Sequence, residues 1–360
     1  MRTARHGGNL REVSDALKVD PNTFLDFSAN INPNGVPTSL NSVVEQGIAQ
    51  LNRYPDESYK TLREALARQF SVTSEMVSVG NGAVAILRDV ALALKAKQAV
   101  VVEPAFSEYR RSFSIFGTEV LSYQLSESND FCLDVSRLIN WLKKNATEAQ
   151  VICVGNPNNP TGKLTSPEDL SELLSYCKAT QKWLVIDEAF MDFVVNDSAS
   201  MIPRMKENDP LIVIRSATKF FAIPGLRLGF SITNNHDLSE KLKRVEETWS
   251  VNTFAENFGK KMYEDTAYIE KTTSWLANES AYLKTSLERV PNVQVFSSAA
   301  NFYLFKANDS NLRNQLWQDG IMIRRCEDFV GLSEYYYRVA VKYHQSNVKL
   351  IQALTQRLTN

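Results

Sequence analysis

Lys219 directly follows an apolar strand and stands among residues that could bind a phosphate group. Ser216 and Thr218 precede it closely, and Arg227 follows after one further short loop. A desolvated lysine amine can form a Schiff base with an aldehyde, and hydroxyls and a guanidinium can donate hydrogen bonds to phosphate. The segment is therefore typical of a site for an aldehyde cofactor with a phosphate, although alone it could equally be a solvated lysine at a strand end.

Two other segments favour the cofactor interpretation. Asp187 ends an apolar strand, at the edge where open α/β sheets bind ligands. A carboxylate there can keep a pyridinium nitrogen protonated, which is what makes pyridoxal phosphate an electron sink. Asn159, in an Asn- and Pro-rich loop after another strand, could donate its amide to the ring oxygen. Each could singly be a strand cap or a turn, but together with Lys219 they predict pyridoxal 5'-phosphate as the cofactor.

The segment 80–85 reads G-x-G-x-x-A, follows a predicted strand and opens a predicted helix. Glu103 ends the next strand, so the segment also satisfies the fingerprint of a dinucleotide site. The same geometry presents helix N-terminal amides to any phosphate. The loop by itself leaves a nicotinamide-dependent dehydrogenase open as an alternative. This alternative is remote, because such an enzyme has no use for Lys219, Asp187 and Arg227.

The elements that must position these residues alternate between short β-branched runs and amphipathic helices, which predicts an α/β fold with a mostly parallel sheet covered on both faces. Strands are expected at 76–79, 99–103, 150–154, 183–187, 211–215 and 228–233, with helices including 84–97 and 167–179. This large domain is expected over residues 40–245.

The rest of the chain divides into a small domain and an arm. Residues 246–360 predict a smaller α+β domain, with strands near 293–296, 302–306 and 337–341 and helices that include 263–287 and 346–358. Residues 1–39 are predicted to be an N-terminal arm that contacts substrate and packs with the small domain. Its first 35 residues, with Asn, Pro and Gly clustered near their end, are expected to form an arm or loop and no packed element.

Composition excludes several classes of function. The chain of 360 residues is 44% hydrophobic and 22% charged, with a net charge of −1, which is ordinary globular usage without the basic excess of a nucleic-acid-binding protein. Its apolar runs are too short to cross a membrane. Four scattered cysteines and three histidines offer no metal-binding spacing. We expect a cytoplasmic protein without a metal, a membrane or a nucleic acid among its partners.

The order of the motifs GNG, PAFSEY, NPNNPTG, DEAF and SATKFFAIPGLRLG resembles that of fold-type I pyridoxal-phosphate enzymes, in the branch that includes histidinol-phosphate aminotransferase. Within this branch, five further segments are similar to the threonine-phosphate decarboxylase family of cobalamin biosynthesis: HGGN, DFSANINP, RYPD, WSVN and YYRVA. The resemblance covers residues 6–342. The HGGN segment in the arm is what favours a decarboxylase over an aminotransferase.

The resemblance implies a role for each matching residue. Lys219 would carry the Schiff base, Asp187 would pair with the pyridinium, and Phe106 would stack on the ring, with Tyr109 a second candidate for stacking. The remaining roles concern the cofactor phosphate, the ring oxygen and the substrate. They would fall to Gly82, Ala83, Ser216, Thr218 and Arg227 (phosphate), Asn159 (ring oxygen, substrate), and His6, Gly7, Asn30, Arg324 and Arg338 (substrate).

The resemblance also implies partners and a reaction. Tyr54 would reach the cofactor phosphate of a neighbouring subunit in a homodimer. The substrate would be O-phospho-L-threonine, or O-phospho-L-serine, decarboxylated to the amino-alcohol phosphate; a histidinol-phosphate-type aminotransferase is the alternative. Arg338 would occupy the position that binds the α-carboxylate, while Arg324 and His6 would face the substrate phosphate. Phe190 stands where many aminotransferases have a tyrosine that bonds the ring oxygen.

Overall fold

The computed structural model describes residues 7–194 and 199–359. Its strands form three sheets, which have seven, four and two strands. In chain order the strands are β1 (Leu25–Asp26), β2 (Val77–Gly80), β3 (Gln98–Glu103), β4 (Glu119–Gln124), β5 (Val151–Gly155), β6 (Trp183–Asp187), β7 (Leu211–Ser216), β8 (Gly229–Ile232), β9 (Val293–Val295), β10 (Phe302–Ala307), β11 (Ile321–Met322), β12 (Arg324–Arg325) and β13 (Tyr336–Ala340).

Helices cover both faces of the largest sheet and connect its strands. Helix α7 shows how the sequence starts one: the Ser166 hydroxyl accepts the Asp169 N–H at 3.1 Å, and Pro167 occupies the first helical position. The helices are α1 (Leu10–Leu17), α2 (Ser39–Ile48), α3 (Lys60–Phe70), α4 (Ala83–Leu94), α5 (Ser107–Ser114), α6 (Val135–Asn145), α7 (Pro167–Ala179), α8 (Ala217–Phe220), α9 (His236–Val245), α10 (Thr253–Gly259), α11 (Thr266–Leu287), α12 (Leu312–Gln318) and α13 (His344–Leu358).

The seven-stranded sheet has the order β2-β8-β7-β6-β5-β3-β4. Strands β4, β3, β5, β6 and β7 pair in parallel, whereas β8 is antiparallel to both β7 and β2. Every residue of β5 and β7 is buried, because helices pack on both faces of the sheet. The predicted α/β class with a mostly parallel sheet is confirmed.

The C-terminal part contains the antiparallel sheet β12-β13-β10-β9. Helix α11 packs against its strand β9, and α13 packs against both α11 and α12. The sheet's central strand β10 is apolar and buried at four successive positions from Phe302 to Phe305. This is the smaller α+β unit that the sequence predicts. The boundaries at residues 39 and 245 remain a prediction.

The expectation that the first 35 residues lack a packed element is wrong. They contain helix α1 and strand β1, and β1 pairs in parallel with β11, joining Leu25 to Ile321 and Asp26 to Met322. Phe27 is fully buried beside this pair. A strand of two residues is too short to show the alternating pattern by which strands are recognised, so its pairing partner could not be inferred.

Strand β4 and helices α2 and α3 were also missed. Strand β4 lies at the edge of the sheet, is exposed at both ends and only half-buried between them, so it lacks the buried apolar run that marks the central strands. Within the described part of the chain, none of the helices has the length and apolarity needed to cross a bilayer.

Candidate active site

A cavity of about 500 Å³ lies at the carboxyl ends of β5, β6 and β7 and contains most of the residues predicted to do chemistry. A larger cavity, of about 1010 Å³, lies beside Arg215 and Tyr263 and contains none of them. The predicted residues that line the smaller cavity come from all parts of the chain: Gly7, Asn30, Ala83, Phe106, Asn159, Asp187, Ser216, Thr218, Lys219, Arg227, Arg324 and Arg338.

Lys219 reaches this cavity because the short helix α8 begins immediately after β7. Its amine donates a hydrogen bond to Ser216 Oγ at 3.0 Å. Burial lowers the pKa of Lys219 to about 8; nearby Asp187 opposes this shift and Arg227 adds to it. The lowered pKa leaves a substantial fraction of neutral, nucleophilic amine near neutral pH, which is what Schiff-base formation requires.

Asp187 ends β6 at the floor of the cavity and is 5% exposed. Its Oδ1 accepts the Ala189 N–H at 2.8 Å, and its Oδ2 accepts the Tyr109 hydroxyl at 2.7 Å. Burial raises the pKa of the Asp187 carboxyl, whereas the Lys219 charge and these two donors act in the opposite direction. The site therefore holds an oriented carboxylate where a ring nitrogen would need a partner.

The position of Tyr109 differs from the suggestion that it could stack on the ring. Tyr109 is 2% exposed, and its ring meets Phe106 edge-on, with centroids 5.8 Å apart and planes at 88°. Phe106 precedes helix α5 and lines the cavity, so of these two rings it is the one available for stacking. Phe106 and Tyr109 are three residues apart, a spacing that places two side chains on one face of a helix. This spacing was the signal that could have linked Tyr109 to the site.

Arg338 and Asn159 form one connected group. Arg338 Nη1 donates to Asn159 Oδ1, and Nη2 donates to the Ser28 carbonyl at 3.0 Å. Because the amide oxygen is occupied in this way, the Asn159 amide nitrogen is the atom left to donate into the cavity. Burial lowers the pKa of Arg338 to about 10, so the guanidinium remains charged at neutral pH.

Arg324 is held by a carboxylate that sequence reasoning did not single out. Its Nη2 lies 2.7 and 2.6 Å from the two carboxylate oxygens of Asp328, and its Nη1 donates to the Arg325 carbonyl at 2.8 Å. Both Arg324 and Asp328 line the cavity. No sequence pattern marks Asp328, because it meets Arg324 only through a turn of the backbone between the two residues.

The residues predicted to bind the cofactor phosphate differ in what they can offer. Ser216 Oγ and Thr218 Oγ1 lie 2.8 Å apart, and Ala83, the first residue of α4, has an N–H without an acceptor inside the helix. The Gly82 N–H instead donates to the Gly80 carbonyl at 2.7 Å. Gly82 has φ +82°, and a Cβ on it would lie 2.5 Å from Arg227 Nη2. Gly82 therefore makes room for the guanidinium of Arg227.

The arm supplies two of the three predicted substrate contacts, and His6 lies outside the described residues. Gly7 packs so closely that a Cβ would lie 2.1 Å from the Ser28 carbonyl oxygen, and the next N–H, of Gly8, donates to Ser28 Oγ at 2.8 Å. Asn30 Oδ1 is buried and accepts no hydrogen bond from any of the described residues. An unsatisfied acceptor at a cavity wall is a natural contact for a ligand.

Tyr54 lies outside the cavity of its own chain. It is 78% exposed and stacks on Trp249, with ring centroids 4.2 Å apart. A role for Tyr54 at a cofactor phosphate therefore needs a second copy of the chain.

The residues present fit pyridoxal phosphate. A buried carboxylate, an amine with a lowered pKa and a half-buried aromatic ring surround one cavity. Hydroxyls, a helix N-terminus and the Arg227 guanidinium offer the donors that a phosphate group would need. The dinucleotide alternative is wrong. Strand β2, which precedes the glycine loop, lies at the edge of the sheet and pairs antiparallel with β8, whereas a dinucleotide fold places that strand centrally beside a parallel partner.

Comparisons with known proteins agree with this geometry. The model of the family "Aminotransferase class I and II" matches residues 22–354. The chain is 35% identical to threonine-phosphate decarboxylase of Salmonella typhimurium over 98% of this chain and 96% of that protein. It is 34% identical to "Adenosylcobalamin biosynthesis bifunctional protein CobDQ" of Leptospira interrogans, over 99% of this chain and 41% of that protein.

Solved structures give the same result. The crystal structure of histidinol-phosphate aminotransferase from Clostridium acetobutylicum superposes with a TM-score of 0.87 at 33% identity, covering 93% of this chain and 99% of that chain. The predicted resemblance, fold and enzyme class are confirmed. This chain belongs to the class I and II aminotransferase family, and its cofactor is pyridoxal phosphate.

Proposed function

We propose that this protein decarboxylates O-phospho-L-threonine, or O-phospho-L-serine, to the corresponding amino-alcohol phosphate for cobamide assembly. The observation that carries the proposal is the pair of buried arginines, Arg324 and Arg338, in the cavity that also contains Lys219 and Asp187. Two guanidiniums suit a substrate with two anionic groups, since each can bind a carboxylate or a phosphate through two hydrogen bonds. The relatives named for threonine phosphate and for adenosylcobalamin support the same substrate class.

Bound pyridoxal phosphate would supply an electron sink for the bond that breaks at the substrate Cα. The chain decides which bond that is, because only the bond held perpendicular to the ring plane is activated. Arg324 and Arg338 lie on separate strands, β12 and β13, whose register pairs them directly, so they can fix two ends of one substrate. We infer that Arg338 binds the substrate carboxylate and Arg324 the substrate phosphate. Binding at both ends would hold the bond to the carboxylate perpendicular to the cofactor ring.

Lys219 would serve as both the attachment point and the proton carrier. Once the substrate amine has replaced it, the Lys219 amine would be mostly protonated at neutral pH, because its pKa is about 8. Its Nζ could then donate this proton to Cα in place of the lost carboxylate. The apolar residues Phe190 and Phe329 also line the cavity. Their surface limits water and favours conversion of a carboxylate to an uncharged gas.

The assignment of the two arginines can be tested with the reaction product. 1-Amino-2-propanol phosphate has the phosphate but lacks the carboxylate. Arg324→Ala should therefore weaken product inhibition strongly, whereas Arg338→Ala should weaken substrate binding but leave product inhibition nearly unchanged. The reverse pattern would exchange the two roles without affecting the reaction type.

We also propose that the protein is a homodimer with shared active sites. Several large apolar residues on and beside helix α2 are exposed in the single chain, which supports a covered surface there: Val44, Ile48, Leu51, Tyr54 and Trp249. Mixing Lys219→Ala protein with Tyr54→Ala protein tests this. If Tyr54 acts on the neighbouring site, the mixed dimer regains one intact site and activity returns; if it acts within its own chain, no site is restored.

The reaction itself is tested by assaying both phosphorylated amino acids in parallel, with and without 2-oxoglutarate. Carbon dioxide release that does not depend on 2-oxoglutarate supports the proposal. The rate ratio then identifies the preferred substrate, since a single methyl group gives only about 1–3 kcal/mol of discrimination. A keto product whose continued formation requires 2-oxoglutarate would instead support the aminotransferase, the activity named for the similar Clostridium structure.

A further inference from the structure

Tyr109 contacts the carboxylate on which the cofactor depends. Its side chain rises from the first turn of α5, is 2% exposed and places its hydroxyl 2.7 Å from Asp187 Oδ2. The other carboxylate oxygen is occupied by the Ala189 N–H at 2.8 Å. Two donors fixed by different segments therefore hold the plane of the carboxylate from both sides.

The neighbouring strand leaves space for this hydroxyl. Gly155 ends β5 and pairs with Asp187 across the parallel β5–β6 register. A Cβ on Gly155 would lie 3.0 Å from both Tyr109 Oη and Asn158 Oδ1, which is closer than an ordinary van der Waals contact. The φ of Gly155 lies outside the left-handed region, so its backbone does not require glycine. The absence of a side chain is explained by the close approach of these two oxygens, one of which is the tyrosine hydroxyl.

The hydroxyl acts as a donor. Burial and the nearby Asp187 charge raise the pKa of Tyr109 well above its ordinary value, so it keeps its proton across the working range of pH. Cys153 on β5 and Glu103 on β3 face the same hydroxyl, and Lys219 on α8 faces Asp187. An ionised carboxylate is an acceptor only, so Tyr109 bonds best to the charged form of Asp187.

We propose that Tyr109 is a positioning residue of the reaction, whose hydroxyl keeps the Asp187 carboxylate ionised and directed at the protonated ring nitrogen of pyridoxal phosphate. Burial alone favours the neutral acid at this position. Without the hydroxyl, Asp187 would take up the proton that it otherwise leaves on the ring nitrogen, and the electron sink would weaken. The proposal rests on the proposed function only through cofactor binding in this cavity.

The test replaces the hydroxyl and keeps the ring. Tyr109→Phe and wild-type protein are reconstituted with pyridoxal phosphate, and two quantities are measured: the dissociation constant of the cofactor and the pH midpoint of the visible absorbance band. The matched control is Tyr303→Phe, because Tyr303 is equally buried at 2% and its hydroxyl bonds to Ser280 in the C-terminal part of the chain.

We expect the cofactor dissociation constant of Tyr109→Phe to rise roughly tenfold, the effect of losing one hydrogen bond to a charged group. The midpoint of the visible band should move to higher pH by about one unit, because loss of the ring-nitrogen charge favours protonation of the nearby Schiff-base nitrogen. The kcat should fall more than KM changes. Tyr303→Phe should leave all of these values at those of the wild type.

A folded Tyr109→Phe protein with the wild-type midpoint and dissociation constant would overturn the proposal and reduce Tyr109 to a packing residue. If Tyr109→Phe does not fold, Gly155→Ala provides the test, since it retains the hydroxyl and displaces it. A shift of the midpoint in the same direction would support the proposal, and an unchanged midpoint would contradict it. Failure of the wild-type protein to develop a visible band would count against the proposed function itself.

Discussion

The floor and the wall of the cavity are built in different ways. The floor consists of the strand ends that hold Asp187 and Ser216, with Lys219 immediately after them, so each residue is positioned by the buried strand next to it in sequence. The wall consists of Arg324 and Arg338 with the arm residues beside them, and it joins distant segments. For example, Arg338 donates to the Ser28 carbonyl across 310 residues. The floor suits chemistry common to many substrates, whereas the wall is the part that can select one substrate and one bond.

The largest effect should come from the floor. Lys219→Ala should remove the visible band and lower turnover by roughly 10³-fold or more, because it deletes both the covalent attachment and the proton carrier. The measurement is carbon dioxide release, with circular dichroism to confirm the fold. Lys241→Ala, at an exposed lysine paired with Asp237, should be fully active. Comparable activity in Lys219→Ala would remove the basis of the mechanism.

On the wall, Arg338→Ala should lower kcat/KM by roughly a hundredfold, because a charge-assisted pair of hydrogen bonds to the substrate is lost. Cofactor affinity should change much less, since Arg338 reaches the cofactor side only through Asn159. Both quantities are measured on one preparation, with Arg357→Ala, at a surface pair with Asp319, as the control. An equal loss of kcat/KM and of cofactor affinity would show that Arg338 contributes to cofactor binding as much as to substrate binding.

Gly82→Ala should weaken pyridoxal phosphate binding by roughly tenfold, because the new methyl group displaces the Arg227 guanidinium from a phosphate contact. Gly117→Ala is a close control: Gly117 also has φ +82°, but its Cβ would meet nothing within 4 Å. Both variants should lose about 1 kcal/mol of stability from backbone strain. If Gly117→Ala weakens cofactor binding as much, the effect is strain rather than displacement of Arg227.

A change of pH should have an effect of similar size. The neutral form of Lys219 reacts with the cofactor, and its fraction grows as pH rises through the pKa of about 8, so the rate of reconstitution of the apoprotein should increase about tenfold between roughly pH 7 and 9. Stopped-flow absorbance measures this rate. Asp187→Asn should shift the pH at which the reconstitution rate of the apoprotein is half-maximal to a lower value, since the Asp187 charge raises the pKa of Lys219. A shift to higher pH would mean that their interaction has the wrong sign.

The same contrast explains how far the sequence could predict the molecule. The central strands were predicted within about two residues at each end, and β6 at its observed bounds, because they are apolar, buried and followed directly by the residues of the floor. The β1–β11 pair was missed because two residues carry no periodic signal. Asp328 and the Tyr109–Asp187 bond were missed because they depend on side-chain contacts, which no spacing rule specifies.

We propose that the residues of the wall direct a cofactor common to the family toward loss of the carboxylate. The most direct test follows O-phospho-L-threonine labelled at the carboxyl carbon, with labelled gas and the visible band recorded from the same sample. Labelled carbon dioxide released over many turnovers, with the band restored at the end, is the predicted result. Retention of the label in a keto product, with the band lost until 2-oxoglutarate is added, would contradict the account.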